Sequence, residues 1–412
     1  MKKKKGVWSL LQALDETGRL ICFTDKRSHS EWRYLQKSGR FRCPICNQQV
    51  RMRLGTKRRW HFAHQKSEMC PSGGEGESDE HVRGKQLLFH WAARQNKATQ
   101  LETYLRESNQ RPDVYIESSS PLALEFQCAT LSAKTLYERN TLYARQGISP
   151  VWIFGGSRLK RKRRQMFQIQ QFEWYGLRHA QREPFFIYLD AHTEKVCLLR
   201  HVVAVLPSLA LATPSFIALE RLTLSDLLQP PPLSVCYADS LSAYRRQVKN
   251  NIHRNRSLAH LLATFQLTDI PLTAGWPVPT QRYLQVSPFL WQTSFIHAYL
   301  SHALKCAPRT LTQIAVLLSS CLRQFRHPFK PYCDPKKVTA QLAREYLALL
   351  EAFGLLKKIA PGAFIKSSEE EILSCKGKEK EQRFLYCWND LLLANNKRAS
   401  KVVARQGKET SI

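Results

Sequence analysis

Apolar and polar residues alternate through two short runs in the first half of the chain. Val114 and Ile116 point one way, and Asp113, Tyr115 and Glu117 the other. In the second run Leu122, Leu124, Phe126 and Cys128 share a face opposite Glu125 and Gln127. Ser118-Ser119-Ser120-Pro121 between them has turn chemistry, so the pattern predicts paired strands. A helix is expected upstream, capped by Ser78, with Leu87, Leu88, Trp91 and Ala92 on its buried stripe. A second helix is expected from Leu131 to Gln146, capped by Ser132, followed by a buried strand Val151–Phe154 that stops at Gly155-Gly156. The order helix, strand, strand, helix, strand makes a small α/β unit.

The flanking regions follow other rhythms. Leu11–Leu14 and Leu20–Phe23, split by Glu16-Thr17-Gly18, read as a first hairpin. Gln49–Arg53 and Lys57–His61, turned at Leu54-Gly55-Thr56, read as another. Beyond Leu241 the pattern turns helical over Phe289–Leu304, Leu311–Phe325 and Val338–Phe353. The helix from Val338 leads towards a short hairpin up to Ile365, a cadence that fits a winged-helix unit or a plain helical bundle; a bundle is expected. These patterns divide the 412 residues into an N-terminal module (1–70), a central α/β domain (71–160), a basic linker and mixed segment (161–240) and a mostly helical domain (241–412).

Charge changes the picture. The 63 Lys and Arg against 33 Asp and Glu leave a formal charge of +30, which argues for a polyanionic partner. Residues 40–66 hold eight basic side chains and no acid, with Arg51, Arg53, Arg58 and Arg59 among them. Residues 157–165 hold six more, including Arg161, Lys162, Arg163 and Arg164. Both runs are expected to hold phosphates without reading sequence. Scattered cysteines fit a reducing, cytoplasmic setting. The uncharged stretch Val202–Leu219 carries Pro207 and Pro214 and is expected to be a buried soluble segment rather than a membrane span. No phosphate-cradling Gly-x4-Gly-Lys-Ser/Thr loop is present, which removes support for ATP hydrolysis.

Two constellations carry chemistry. Asp113 and Glu125, brought together by strand pairing, are hard oxygen ligands that suit magnesium, the ion that activates water in phosphodiester hydrolysis. His81 and Lys85 lie one helical turn apart and can address one phosphate. Cys43-Pro44-Ile45-Cys46 and His61-Phe62-Ala63-His64 are separated by fourteen residues. Two thiolates and two imidazoles match a closed tetrahedral zinc site, with Cys70 able to replace one histidine.

In this order the motifs resemble the PD-(D/E)XK nuclease superfamily. The whole N-terminal part is similar to the competence protein CoiA family of bacterial transformation, through Cys43-Pro44-x-Cys46, His61-Phe62-Ala63-His64, Glu77-Ser78-x-x-His81-x-x-x-Lys85, Arg111-Pro112-Asp113-Val114, Glu125-x-Gln127 and Trp152-Ile153-x-Gly155. The resemblance implies a metal-dependent nuclease fold that handles DNA taken up in competence. It implies a magnesium site of Asp113 and Glu125, with the Phe126 carbonyl and Glu77, and Glu80 as the weaker match for that acid. Lys85 and Gln127 would orient water or phosphate. Gln127 stands where the superfamily has lysine, and it supplies no positive charge. Lys85 or Arg139 would have to supply it; Arg139 and Tyr143 are secondary candidates on one helical stripe.

Three functions compete on the sequence. The first is a magnesium-dependent deoxyribonuclease acting on single-stranded or branched DNA. The second is a degenerate nuclease fold that binds DNA and passes it to a recombinase. The third is an RNA-binding or RNA-processing protein, since basic patches do not separate DNA from RNA.

Overall fold

The computed structural model describes residues 9–56, 59–64, 70, 78–95, 98–180, 183–301, 309–360, 363–366 and 378–392. The N-terminal module is a six-stranded sheet of short strands, β1 (Ser9–Leu10), β2 (Gln12–Leu14), β3 (Leu20–Cys22), β4 (Phe41–Arg42), β5 (Gln49–Arg53) and β6 (His61–His64), in the order β1-β6-β5-β4-β2-β3. The β2–β3 hairpin turns at Gly18, whose φ of +80° is a conformation that favours glycine. Helix α1 (His29–Ser38) covers the module. Its Ser28 cap and Glu31 form a reciprocal capping box that satisfies two otherwise orphaned amides. Trp32, Phe41, Phe62 and Met52 fill the small core beneath it.

The central domain begins with α2 (Asp79–Ala93), capped by Ser78, and β7 (Ala98–Leu101). The expected hairpin follows as β8 (Val114–Glu117) and β9 (Leu122–Gln127), then α3 (Ala133–Arg145), capped by Ser132, and β10 (Ser149–Gly155). The sheet does not end there. β11 (Lys160–Arg163), β12 (Met166–Gln168), β13 (Arg178–Ala180), β14 (Glu183–Asp190), β15 (Lys195–Leu206) and β16 (Leu209–Ala218) extend it to ten strands. The order is β11-β12-β16-β15-β14-β10-β9-β8-β7, with β13 beside β14. Much of 161–240, expected as a basic linker and mixed segment, is therefore sheet. The basic run 160–163 is an exposed edge strand, where charged side chains cost nothing and discourage pairing with other chains. The apolar stretch 202–219 is most of the β15–β16 hairpin. Among the described residues no helix is long and apolar enough to cross a membrane.

Both faces of the sheet are covered, so β9 is buried almost throughout rather than half-exposed. Leu124 and Phe126 pack with Val82, Leu88 and Trp91 of α2. Ala123, on the opposite face, packs with Tyr143 of α3. Strand β15 carries a bulge between Arg200 and Val203, with His201 at φ +52°. The extra residue re-phases the strand: Cys197, Leu199, Val202 and Ala204 stay on one core. The other face passes from Val196 and Leu198, in the α2 core, to Val203 and Val205, in the C-terminal core. Tyr237 donates its hydroxyl to the carbonyls of Arg200 and His201 at 3.3 and 3.2 Å.

The C-terminal part is mostly helical: α4 (Leu224–Leu228), α5 (Ala238–Asn250), α6 (Arg256–Thr264), α7 (Pro288–Ser301), α8 (Leu311–Arg323), α9 (Pro335–Ala352) and a helix over 378–392. β17 (Arg309–Thr310), β18 (Leu356–Ala360) and β19 (Ala363–Lys366) form a sheet in the order β17-β19-β18. The succession α7, β17, α8, α9, β18, β19 is a winged-helix arrangement, where a plain bundle was expected.

Candidate nuclease-like centre and metal cluster

The β8–β9 pairing sets Val114 against Leu124; carried one residue further, the same register sets Asp113 opposite Glu125. The acids are served by different helices. Asp113 Oδ2 accepts from the Phe126 amide at 2.8 Å and lies 3.4 Å from Nε2 of His81 on α2. Its Oδ1 lies 3.9 Å from Nζ of Lys85, one turn along. Glu125 points to α3, where Arg139 and Tyr143 both donate to its Oε1. Arg139 also donates to Gln110 at 3.1 Å and lies over the Trp152 ring. Burial pushes the Glu125 carboxyl up to about 7; Arg139 opposes the rise and the charge of Asp113 adds to it.

Residues set this geometry as much as charges do. Gly84 lets α2 press onto the sheet: a Cβ there would meet Phe126 Cε1 at 2.0 Å. The His81 ring stacks parallel to Phe126 at 5.9 Å. Gln127 donates to the carbonyl of Ala129 at 2.8 Å. Glu80 lies beside Gly155, its Oε1 3.2 Å from where a Cβ would stand. Glu77 lies outside the described residues.

One participant carries no motif. Glu102, 2% exposed at φ +49°, accepts from Lys85 Nζ at 2.5 Å. Its other oxygen accepts from the Leu11 amide at 3.1 Å, its amide donates to the Asp113 carbonyl at 3.0 Å, and its carbonyl accepts from Gln12. The solvated helix-face position open to Lys85 is replaced by complete burial against Glu102. That pair ties the acid-bearing strand to the N-terminal module.

In that module Cys43, Cys46, His64 and Cys70 bring their ligand atoms within 4.8 Å of one another. Cys46 Sγ is 3.3 Å from His64 Nε2, and Cys43 Sγ is 4.0 Å from Cys70 Sγ, too far for a disulfide. Ile45 donates its amide to Cys43 Sγ at 3.4 Å. This Cys3His cluster is able to bind a metal. His61, expected as a ligand, is not in it; its Nδ1 lies 2.8 Å from the Arg59 carbonyl. Residues three apart on a strand face opposite ways, which separates His61 from His64.

The basic residues are dispersed. Arg51 and Arg53 lie on the exposed face of β5, and Arg59 donates to Gln86 on α2 at 2.9 Å. Arg58 lies outside the described residues. Arg161, Lys162 and Arg163 are exposed on β11, and Arg164 is exposed in the turn that follows. Arg161 folds back onto the carbonyls of Arg163 and Arg164. Five strands separate β11 from β9 in the sheet, roughly 29 Å at the usual strand spacing. Arg158 is closer: it donates to the Cys128 carbonyl at 3.1 Å, just past the end of β9.

Comparison with known proteins matches two family models, the nuclease-like domain of competence protein CoiA over residues 77–232 and its N-terminal domain over 24–73. Competence protein CoiA of Bacillus subtilis (strain 168) is 31% identical over 276 residues, 64% of this chain and 73% of that protein. The chain belongs to the CoiA family. The CoiA nuclease-like match runs from the start of α2 past β16, so β11–β16 fall inside it. Cys43, Cys46, His64 and Cys70 all fall inside the CoiA N-terminal match. The winged-helix segment lies beyond both. No solved structure matches the chain.

Proposed function

We propose that this CoiA-family protein processes DNA in bacterial competence as a magnesium-dependent deoxyribonuclease, with Asp113 and Glu125 as its metal-holding acids. The observation that carries the reading is the convergence of both acids with His81, Lys85 and Arg139 around the end of one strand pair. The donors fit the ion: two hard carboxylates, one of them, Asp113, still partly open to solvent. Bound magnesium would supply Lewis-acid activation of water and offset charge on the phosphate. Lys85 holds the Asp113 carboxylate in place and adds positive potential; Arg139 holds Glu125 and takes the place of the missing lysine of the Glu-x-Lys pattern. The Cys3His cluster would hold a structural zinc, closed by four protein ligands.

A second reading is a DNA-binding factor that hands single strands to a recombinase. It is favoured by the engagement of Glu125 with Arg139 and Tyr143, and of the Gln127 amide with Ala129. Incubation with labelled single-stranded, duplex and branched DNA and with RNA, with and without magnesium, separates the two. Cleavage abolished in Asp113→Ala and Glu125→Ala, with binding retained, supports the nuclease. Equal cutting by Asp113→Ala and the parent overturns the metal site. Binding without cleavage of any substrate favours the second reading, and preference for RNA overturns both. Replacing Arg161, Lys162, Arg163 and Arg164 together should lower the salt slope of binding by up to about 3.6.

A further inference from the structure

We infer that the C-terminal winged-helix segment is a second nucleic-acid site, specific for duplex DNA. This rests on the topology of residues 288–366 and their charge, and is independent of the nuclease reading. Helices α8 and α9 bury one face of each in the C-terminal core: Ile314, Leu318 and Leu322 from the first, Val338, Leu342, Tyr346 and Leu349 from the second. The β17-β19-β18 sheet holds the hairpin beside them. In helix-turn-helix proteins the second helix enters the major groove and its N-terminal residues meet the base edges. Here that helix is α9.

Its outward positions suit the task. Lys336, Lys337, Gln341 and Arg344 are exposed, and Lys357 and Lys358 are exposed on the adjacent strand β18. Residues 309–360 hold nine Lys or Arg against three Asp or Glu. Two of those acids are spent internally. Asp334 caps α9 by accepting from the amides of Lys336 and Lys337, and Glu345 accepts from the Thr280 amide at 2.7 Å. The surface left to a partner is therefore cationic. Gln341 and Arg344 also border a cleft closed by Trp388, Leu391 and Leu392 of the C-terminal helix, whereas the first turn of α9 is exposed. The exposed first turn of α9, with its two lysines, suits a groove about 12 Å wide between two phosphate backbones, and Lys357 and Lys358 of β18 add positive charge at the other end of the helix. No exposed residue of α9 carries an aromatic ring on which an unpaired base would stack, and Tyr332, exposed just ahead of its cap, is already stacked on Tyr137 at 4.5 Å, which distinguishes this surface from a single-strand platform.

The test is fluorescence anisotropy with the full chain in magnesium-free buffer without chelator, so that cleavage does not enter and the Cys3His module keeps its metal. The probes are a labelled 20-base-pair duplex and a single strand of equal length. The variant replaces Lys336, Lys337, Lys357 and Lys358 with alanine; its melting temperature is checked against the parent, and Lys336→Glu/Lys337→Glu serves as a second, smaller change. We expect duplex affinity at 0.15 M salt to fall about ten-fold or more and the salt slope to drop by up to about 3.6, with single-strand affinity little changed. Unchanged duplex affinity and slope would overturn the inference. Equal losses on both probes would overturn its duplex specificity. Loss of cleavage in Asp113→Ala leaves this result untouched, so the two readings fail separately.

Discussion

Replacing Glu102 with glutamine should destabilise the protein far more than a surface charge change would. The Lys85 side chain is 0% exposed and that of Glu102 1%, with 2.5 Å between ammonium and carboxylate. Glutamine keeps the shape and can still accept from the Leu11 amide, but it leaves an ammonium buried beside a neutral group. Removing one partner of such a pair costs about 3–5 kcal/mol, because the surviving charge has lost its water and its closest counter-ion. Asp113, 3.9 Å from the same ammonium, favours the lower end. At about 2–4 °C per kcal/mol for a domain of this size, the melting temperature should fall by about 6–20 °C. Lys85→Ala should cost as much, so its loss of activity would be partly a loss of fold. Pairing Glu102→Gln with Lys85→Met removes both charges and should recover most of the stability. Urea unfolding of parent, singles and double gives the coupling, expected at about 2 kcal/mol or more. A Glu102→Gln cost below about 0.5 kcal/mol, the range of an exposed pair, would refute the reasoning.

Three further outcomes are expected. Elemental analysis should find one zinc per chain, retained in His61→Ala and lost in Cys70→Ser; retention in Cys70→Ser would exclude that thiol as a ligand. Gly84→Ala should cost about 1–3 kcal/mol by driving α2 off Phe126, and Phe126→Leu should restore part of it; an unchanged melting temperature would show that the helix shifts freely. Lys330 is 5% exposed over the Trp174 ring with no hydrogen-bond partner among the described residues, and burial lowers its pKa to about 7 from 10.5. The unfolded chain then binds the extra proton, so stability should rise as pH climbs from about 7 towards 10.5. Lys330→Met should be the more stable protein near pH 7, by a margin that shrinks across that window; a pH-independent margin would refute it.

Much of this fold is legible from local patterns. Alternation marks β8 and β9, the Ser78 and Ser132 caps mark the starts of α2 and α3, and Ser28-x-x-Glu31 announces α1 to anyone seeking a capping box. Asp113 and Glu125 are legible because a hairpin register is local. Glu102 is not, because its partners Leu11 and Lys85 are remote in sequence and its left-handed backbone breaks any pattern. The choice of Cys70 over His61 was within reach, since histidines three apart on a strand cannot share a face. The edge strand β11 hid because six basic residues in nine look like solvated linker, and only the sheet behind them shows otherwise. The winged helix ranked behind a plain bundle because β17, the strand that separates the two topologies, is two residues long.

The bulge in β15 has a consequence for how this chain can be cut and recombined. Because one strand supplies Val196 and Leu198 to one core and Val203 and Val205 to another, the winged-helix half is not a detachable cassette. A fragment starting near residue 241 would lose Val203, Val205, Leu211 and the Tyr237 hydroxyl that secures the bulge, and would expose the apolar wall they form. A fragment ending there would leave the mirror-image wound. Swapping C-terminal halves between relatives would therefore require carrying the β15–β16 hairpin along, and a one-residue deletion near His201 would turn every downstream side chain of the strand to the wrong layer.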